Sequence, residues 1–313
     1  MDTDLVAALD IGGTKIAGAL VDDSGKLLVR AVRPTPARGT AEQVLGAVGD
    51  VLGELRQAVQ WPRAAAVGIG SAGPVDAVRG TVSPVNIPGW RDFPLVRHVQ
   101  REVDGLPVTL VGDGVAMTAA EHAQGAAQGH RNALGMVVST GVGGGLVLNG
   151  RPLPGPTGNA GHIGHISVEL DGDLCPCGGR GCVERIASGP NIVRRALAEG
   201  WQPPPGTPVS GAAVAASARA GDPVAQRSFE RAARAVAAAV AAAAALVEID
   251  IAVVGGGVAQ AGPVLFDPLR SALRDYATLS FVQGLEIVPA AIGTDAGLVG
   301  AAVACRTLPG VRS

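Results

Sequence analysis

A chain of 313 residues is long for one hydrophobic core, so two lobes are expected, and a 47% apolar content is ample to fill them. The formal net charge of -2 gives no electrostatic reason to expect nucleic acid as a partner. The longest apolar run, residues 235–247, is mostly alanine and shorter than a membrane span of about 20 residues. The chain opens MDTDLVAALDIGG without a basic leader, and the expectation is a cytoplasmic protein with no membrane association.

Leu5 to Leu9 is a short apolar run that stops at Asp10 and turns through Gly12 and Gly13. Ile16 to Val21 and Leu27 to Val32 follow, separated by Asp22-Asp23-Ser24-Gly25, which predicts a three-strand antiparallel meander. Thr40 to Val59 has helical spacing, with Val44, Val48, Val51, Leu52 and Leu55 on one face. Ala64 to Ile69 and Val108 to Val111 read as buried strands, the second ending at Gly112-Asp113. The plan then recurs. Leu134 to Val138 is a strand, residues 139–145 a glycine turn, Leu146 to Leu148 the return strand, and Asn149-Gly150 its end. Pro190 to Ala198 is helical, residues 203–208 form a Pro/Gly loop, and Asp222-Pro223 caps a long alanine-rich helix reaching Val247. Ile251 to Val254 is a last strand before Gly255-Gly256-Gly257.

Three of the four cysteines fall within eight positions, in GHISVELDGDLCPCGGRGCVE. His165, Cys175, Cys177 and Cys182 make a complete tetrahedral zinc set, and a closed set of four reads as structural. The alternative is a disulfide pair and a spare thiol; Cys175 and Cys177 are too close in sequence for an easy bridge. Cys305 sits alone in an apolar run and reads as a small core residue. Lysine occurs only at Lys15 and Lys26, and Lys15 stands inside the glycine signature of the N-terminus.

That signature, Asp10-Ile11-Gly12-Gly13-Thr14-Lys15, is a hairpin turn whose backbone N–H groups can approach phosphate because no side chains block them. It is neither a Walker loop nor a dinucleotide fingerprint, since both need a following helix and a strand follows here. A second Thr-bearing glycine turn, STGVGGG, lies at 139–145, and duplicated β-hairpin phosphate turns are the plan of actin-like ATPases.

With these motifs together the chain resembles the ROK family of bacterial sugar kinases, its zinc-containing glucokinases in particular. The resemblance rests on DIGGTK at 10–15, GIGSAGPVD at 68–76, NIPGW at 86–90, STGVGGG at 139–145, GHIGHI at 161–166, CPCGGRGCVE at 175–184, ASG at 187–189 and VVGGGV at 253–258. It implies an α/β, actin-like (ribonuclease H-like) two-lobed fold with a central cleft and a structural zinc loop. The expected small lobe is 1–112 plus about 297–313, and the large lobe is 113–296 with the zinc loop at 165–184. Family repressors carry a helix-turn-helix module ahead of the first phosphate turn. That turn starts here at residue 10, so none is expected.

The resemblance also implies roles. Asp10, Gly12, Gly13, Thr14 and Lys15 would shape the first phosphate site and its Mg²⁺ side. Thr140, Gly141, Gly143 and Gly144 would shape the second, and Gly255, Gly256 and Gly257 would flank the adenosine of ATP. Asn86, Asp113, His162, His165 and Glu184 would hold the sugar, with Asp113 as general base. A carboxylate at that place suits phosphoryl transfer, in which the protein positions groups and accepts a proton. Two departures stand out. The family commonly has N-D-A-N around the base, where this chain reads Gly112-Asp113-Gly114-Val115, and commonly Glu where this chain has His162. His162 would face the sugar or support the zinc loop from outside. The expectation is an ATP-dependent hexose kinase, glucose at its 6-hydroxyl first, functioning as a homodimer or dimer of dimers. The alternatives are a kinase for N-acetylmannosamine, fructose or allose, and a non-catalytic sugar sensor.

Overall fold

Strands β1 (Leu5–Ile11) and β2 (Lys15–Val21) pair antiparallel around the Gly12-Gly13 turn, with Asp10 opposite Ala17 and Ile11 opposite Ile16. β3 (Leu27–Pro34) extends the meander. Helix α1 (Ala41–Arg56) starts at a capping box in which Thr40 accepts the N–H of Gln43 and the Gln43 side chain accepts that of Thr40. Its buried face is the predicted one, and it stops short of Val59, which is 87% exposed and offers no burial to extend the helix. β4 (Ala64–Ser71) and β7 (Val108–Gly112) lie parallel to β1. Between them come the small hairpin β5 (Val75–Asp76) and β6 (Thr81–Val82) and helix α2 (Leu95–Glu102). The sheet order is β3-β2-β1-β4-β7. Helix α3 (Asp113–Gln124) follows β7 directly.

The same strand plan then appears a second time. β8 (Ala133–Val138), β9 (Val142–Leu148) and β10 (Arg151–Leu153) form the meander, and β11 (Ile251–Gly255) and β12 (Glu286–Pro289) run parallel to β8 and β11 respectively, in the order β10-β9-β8-β11-β12. The second glycine turn is tighter than expected. Ser139 N–H donates to the Gly141 carbonyl at 2.8 Å, closing the turn within three residues, so Gly143, Gly144 and Gly145 belong to β9. Asn149 and Gly150 take left-handed backbone (φ 53° and 76°), the conformation of a two-residue hairpin, and lead into β10.

The helices of this half are α4 (Val183–Ala187), α5 (Gly189–Ala198), α6 (Gly211–Arg219), α7 (Pro223–Val247) and α8 (Pro263–Tyr276). Asp222 caps α7 through Oδ1, which accepts from Val224 at 2.9 Å and Ala225 at 2.8 Å, and the alanine face is buried. The last helix is α9 (Ala296–Thr307).

The structure is a computed structural model that describes residues 4–308, so 309–313 of the expected C-terminal segment lie outside the described residues. The chain divides into two compact units. The first holds the chain up to Gln128, Gly145–Gly161 and the chain from Thr294; the second holds Gly129–Gly144 and His162–Gly293. α3 therefore belongs with the first unit, where the Ala116 carbonyl faces Gly300 of α9 so closely that a Cβ on Gly300 would run into it. Among the described residues, no helix is long and apolar enough to cross a membrane.

Candidate active site

In the first unit, the C-terminal ends of β1, β4 and β7 gather the acidic groups. Asp10, the residue before the last of β1, pairs with Gly70 of β4, and Asp113 opens α3 directly after β7 with Oδ1 accepting the N–H of Gly114 at 2.8 Å. The Asp10 carboxyl is pushed up to about 6 from an ordinary 3.8, first by burial; Lys15 pulls it down, and Asp113 and Asp295 push it up. Asp295, at the start of α9, is paired with Arg30 at 2.9 Å. The Asp10 carboxyl group lies against Gly297, where an added Cβ would stand 2.5 Å from its Cγ.

The Gly12-Gly13 turn is held by Thr35, whose hydroxyl donates to the Gly12 carbonyl at 2.7 Å and whose N–H donates to the Thr14 carbonyl at 3.0 Å. Asn86 stands over the turn, so a Cβ on Gly13 would collide with its side chain. Asn86 is exposed, while its segment is anchored by fully buried Ile87 and Trp90, the latter donating from Nε1 to the Ala41 carbonyl at 3.2 Å. The structure thus brings together Asp10, Gly12, Gly13, Lys15, Asn86 and Asp113. At Gly112 the backbone is ordinary extended chain (φ -66°, ψ 151°), and a Cβ would meet only the Gly158 carbonyl, at 3.6 Å. Glycine there is not demanded by the fold.

In the second unit the Ser139–Gly141 turn carries Thr140 exposed. The Ser139 carbonyl accepts the Gly189 N–H at 2.8 Å, and the Val138 carbonyl accepts that of Val258 at 3.0 Å. Gly256 adopts φ 90° with its Cα pressed on the backbone of Val138, which admits no side chain. Beside the turn is a cavity of about 710 Å³, bordered by Thr140, Gly189, Gly211, Phe229, Gly257 and Ala261. Gly257 lines it; Gly255 is buried at the end of β11.

The Cys/His set assembles in the same unit. One ligand atom from each of His165, Cys175, Cys177 and Cys182 lies within 4.8 Å of all the others, and the Cys177 and Cys182 sulfurs are 3.7 Å apart without a bond. The loop is shaped by its own backbone: Cys175 N–H donates to the Gly179 carbonyl at 2.8 Å, and Gly178 and Gly181 take left-handed φ of 91° and 64°. Burial raises the Cys175 and Cys182 thiols; that of Cys182 is pushed up to about 12, with Cys177 and Cys175 adding to the push, while the Gly179 N–H lowers Cys177. Three thiols packed this closely resist joint ionisation, and a central cation supplies what they lack. The His162 ring lies 6.2 Å from that of His165 and is exposed. Glu184 sits in the first turn of α4 rather than in the loop, and its Oε2 accepts the Val142 N–H at 2.8 Å.

Sequence reading passed over Asp295, Gly297 and Asn159. Asn159 grips Val75 twice, accepting its N–H at 3.0 Å and donating to its carbonyl at 2.6 Å, and so holds the GPTGNAG segment to the strand after Pro74. For Asp295 the signal was present: an acidic residue opening the small-residue helix AGLVGAA.

A model of the ROK family matches residues 6–307. An N-acetylmannosamine kinase of Yersinia pseudotuberculosis is 38% identical over 300 residues, spanning 96% of this chain and 98% of that protein. A glucokinase of Thermotoga maritima is 35% identical over 306 residues, 94% and 95% of the two chains. Among solved structures, a ROK family glucokinase from Streptomyces griseus in complex with glucose and AMPPNP is similar with a TM-score of 0.80 at 36% identity, covering 96% of this chain and 99% of that one.

The raised Asp10 carboxyl predicts a pH dependence. Because the folded value lies above the ordinary 3.8, folding favours the protonated form. That contribution is complete below about pH 3.8 and is lost as pH rises through about 6. Asp10→Asn in chelator-treated protein is therefore expected to stabilise the fold at pH 7.5 by about 1–3 kcal/mol, with the gain vanishing near pH 4. Urea titrations across that range check it; an unstabilised variant at pH 7.5 contradicts it.

Proposed function

Because the chain belongs to the ROK family, we propose that it is an ATP-dependent hexose kinase in which Asp113 accepts the proton of the attacking sugar hydroxyl. The observation that carries this reading is the pair of acidic groups Asp10, near the end of β1, and Asp113, directly after β7 on the far side of β4, close enough for Asp113 to raise the Asp10 carboxyl, in a chain whose second half repeats the glycine turn at Ser139–Gly141. Backbone N–H groups of both turns and Thr140 would hold the phosphates, with Asp10 on the side of Mg²⁺, which neutralises phosphate charge when bound. The cavity beside Thr140 and Gly257 has the size and apolar wall, including Phe229, that a nucleoside needs. Asn86, His165, Glu184 and His162 would contact the sugar.

Glucose phosphorylated at the 6-hydroxyl is the first reading, in keeping with the glucokinase relatives. A second reading, an N-acetylated amino sugar, is favoured by Gly112, which leaves open the space that an Asn side chain would fill, and by the N-acetylmannosamine kinase relatives. An ADP-release assay across glucose, N-acetylmannosamine, fructose and allose decides between them; absence of ADP release with every sugar would leave a sugar sensor in place of an enzyme.

Asp113→Asn should retain fold and nucleotide binding and lose about a hundredfold or more in kcat, the scale of a positioned base. Turnover within a few-fold of the parent would rule out that role. At His162, a carboxylate would accept from two hydroxyls where an imidazole offers one donor and one acceptor. A mismatched hydrogen bond costs about 1–3 kcal/mol, roughly ten- to a hundredfold in affinity. His162→Glu is therefore expected to raise kcat/KM for glucose by about tenfold; unchanged kinetics for every accepted sugar would place His162 outside the pocket.

We assign the Cys/His set to one structural Zn²⁺, bound by His165, Cys175, Cys177 and Cys182. Metal analysis should return one zinc per chain, and stripping it should lower the melting temperature and the sugar affinity together, as the loop preceding Glu184 loses its anchor. A verified metal-free sample with unchanged stability would refute the assignment.

A further inference from the structure

We propose that the Cys/His loop also holds the second phosphate turn in shape, and that Glu184 is the positioning residue of that hold. This rests on the kinase reading above. The loop reaches the turn from both of its ends. At its start, Ile163–His165 forms a 3-10 turn that presses Gly164 against Val142: a Cβ on Gly164 would run into the Val142 carbonyl oxygen and stand 2.8 Å from its carbon. At its end, Cys182 is the N-cap of α4, and two residues later Glu184 Oε2 accepts the Val142 N–H at 2.8 Å. The same oxygen lies where a Cβ on Gly141 would come within 2.7 Å of it. Val142, the residue that follows the turn, thus has its N–H bonded by Glu184, two residues after Cys182, and its carbonyl packed against Gly164, the neighbour of His165.

The grip continues into the neighbouring helix. The Glu184 carbonyl accepts from Ser188 N at 3.2 Å and from Asn191 Nδ2 at 3.0 Å, and Asn191 Nδ2 also donates to the Ser188 hydroxyl at 2.8 Å. Gly189 N–H then donates to the Ser139 carbonyl, the first residue of the turn. A turn made of Ser, Thr and Gly has no apolar side chain to bury and no shape of its own to defend. Its geometry is imposed from outside, with a carboxylate as acceptor, which makes the Val142 hydrogen bond a charge-assisted one. A carboxylate read only as a sugar ligand therefore has a second task, and the metal loop bears on nucleotide as well as on sugar.

The test uses the full chain with zinc bound, in three forms: parent, Glu184→Ala and Glu184→Gln. Amide hydrogen exchange of residues 139–145 is followed without nucleotide or sugar, and MgADP affinity is measured by calorimetry without sugar. Glu184→Ala should speed exchange in that segment about tenfold and weaken MgADP by a similar factor. Glu184→Gln, whose amide oxygen still accepts the Val142 N–H but without the charge, should fall between the parent and Glu184→Ala in both. Parent-like exchange and parent-like MgADP affinity in Glu184→Ala overturn the proposal. If that variant does not fold, chelator removal of zinc from the parent supplies the second perturbation. It should loosen the same amides while the far-UV spectrum is kept, and unchanged exchange overturns the proposal there too. The kinase reading fails separately, by absence of ADP release in the parent, and the exchange readout judges the clamp either way.

Discussion

The first unit depends on how closely the backbone of α9 approaches its neighbours. Three contacts define it: Gly297 lies against the Asp10 carboxyl group, Gly300 against the Ala116 carbonyl of α3, and the Ala301 carbonyl against Gly68 of β4. No Cβ fits at any of the three glycines. At Gly300 and Gly68 the packing is backbone on backbone and at Gly297 backbone on carboxyl group, and interiors at this density do not accommodate an added methyl without shifting elements. The consequence is chemical. Asp10 is buried because a helix has come down beside it, and burial is the main cause of its raised carboxyl. A looser helix would leave the same carboxylate hydrated and ordinary.

Much of this was legible in the chain. The β1–β2 hairpin follows from apolar runs broken at Asp10 and the two glycines, α1 from its valine and leucine spacing, and the start of α7 from Asp222-Pro223. The Cys/His set could be assembled from spacing alone because thiols and an imidazole within one short segment leave few other arrangements, and its atoms do converge. What resisted reading has physical causes. α3 begins at Asp113 with no side-chain cap, and Gly114 lies in its first turn, so it resembles a turn in sequence; it forms because α9 buries it. Gly143, Gly144 and Gly145 read as turn residues because glycine weakens strands, yet Gly145 is a strand residue whose Cβ would meet the Gly114 carbonyl at 2.6 Å and the Val115 Cα at 2.7 Å. Glu184 reads as a loop carboxylate; only its distance to the Val142 N–H reveals which backbone it serves.

The Cys/His loop illustrates a segment that cannot hold itself by hydrophobic burial. Leu170 is 86% exposed and Leu174 62%. Its ordering comes instead from backbone hydrogen bonds such as Val168 N–H to the Gly181 carbonyl, from the sulfur cluster, and from ion pairs of Arg231 with Glu169 and Arg194 with Asp173. The last are largely solvated and worth little each. With the zinc proposed above, the free energy of holding this loop would be concentrated in its Cys/His side chains.

The two halves of the chain repeat one strand plan but brace their glycine turns by unequal means. In the first half the segment after β3 is brief, and a single residue in it, Thr35, fastens the turn through the Gly12 carbonyl and the Thr14 carbonyl. In the second half the segment after β10 has grown into the whole Cys/His loop, and the fastening falls on Val142. A duplicated architecture has in this way become asymmetric in its vulnerabilities. With the zinc proposed above in place, one half would hold its turn without a metal, whereas the other would also answer to the supply of a metal and to the oxidation of thiols. On that reading, zinc starvation or an oxidant would strike a single half of an internally repeated fold, and the repeat would offer no redundancy against it.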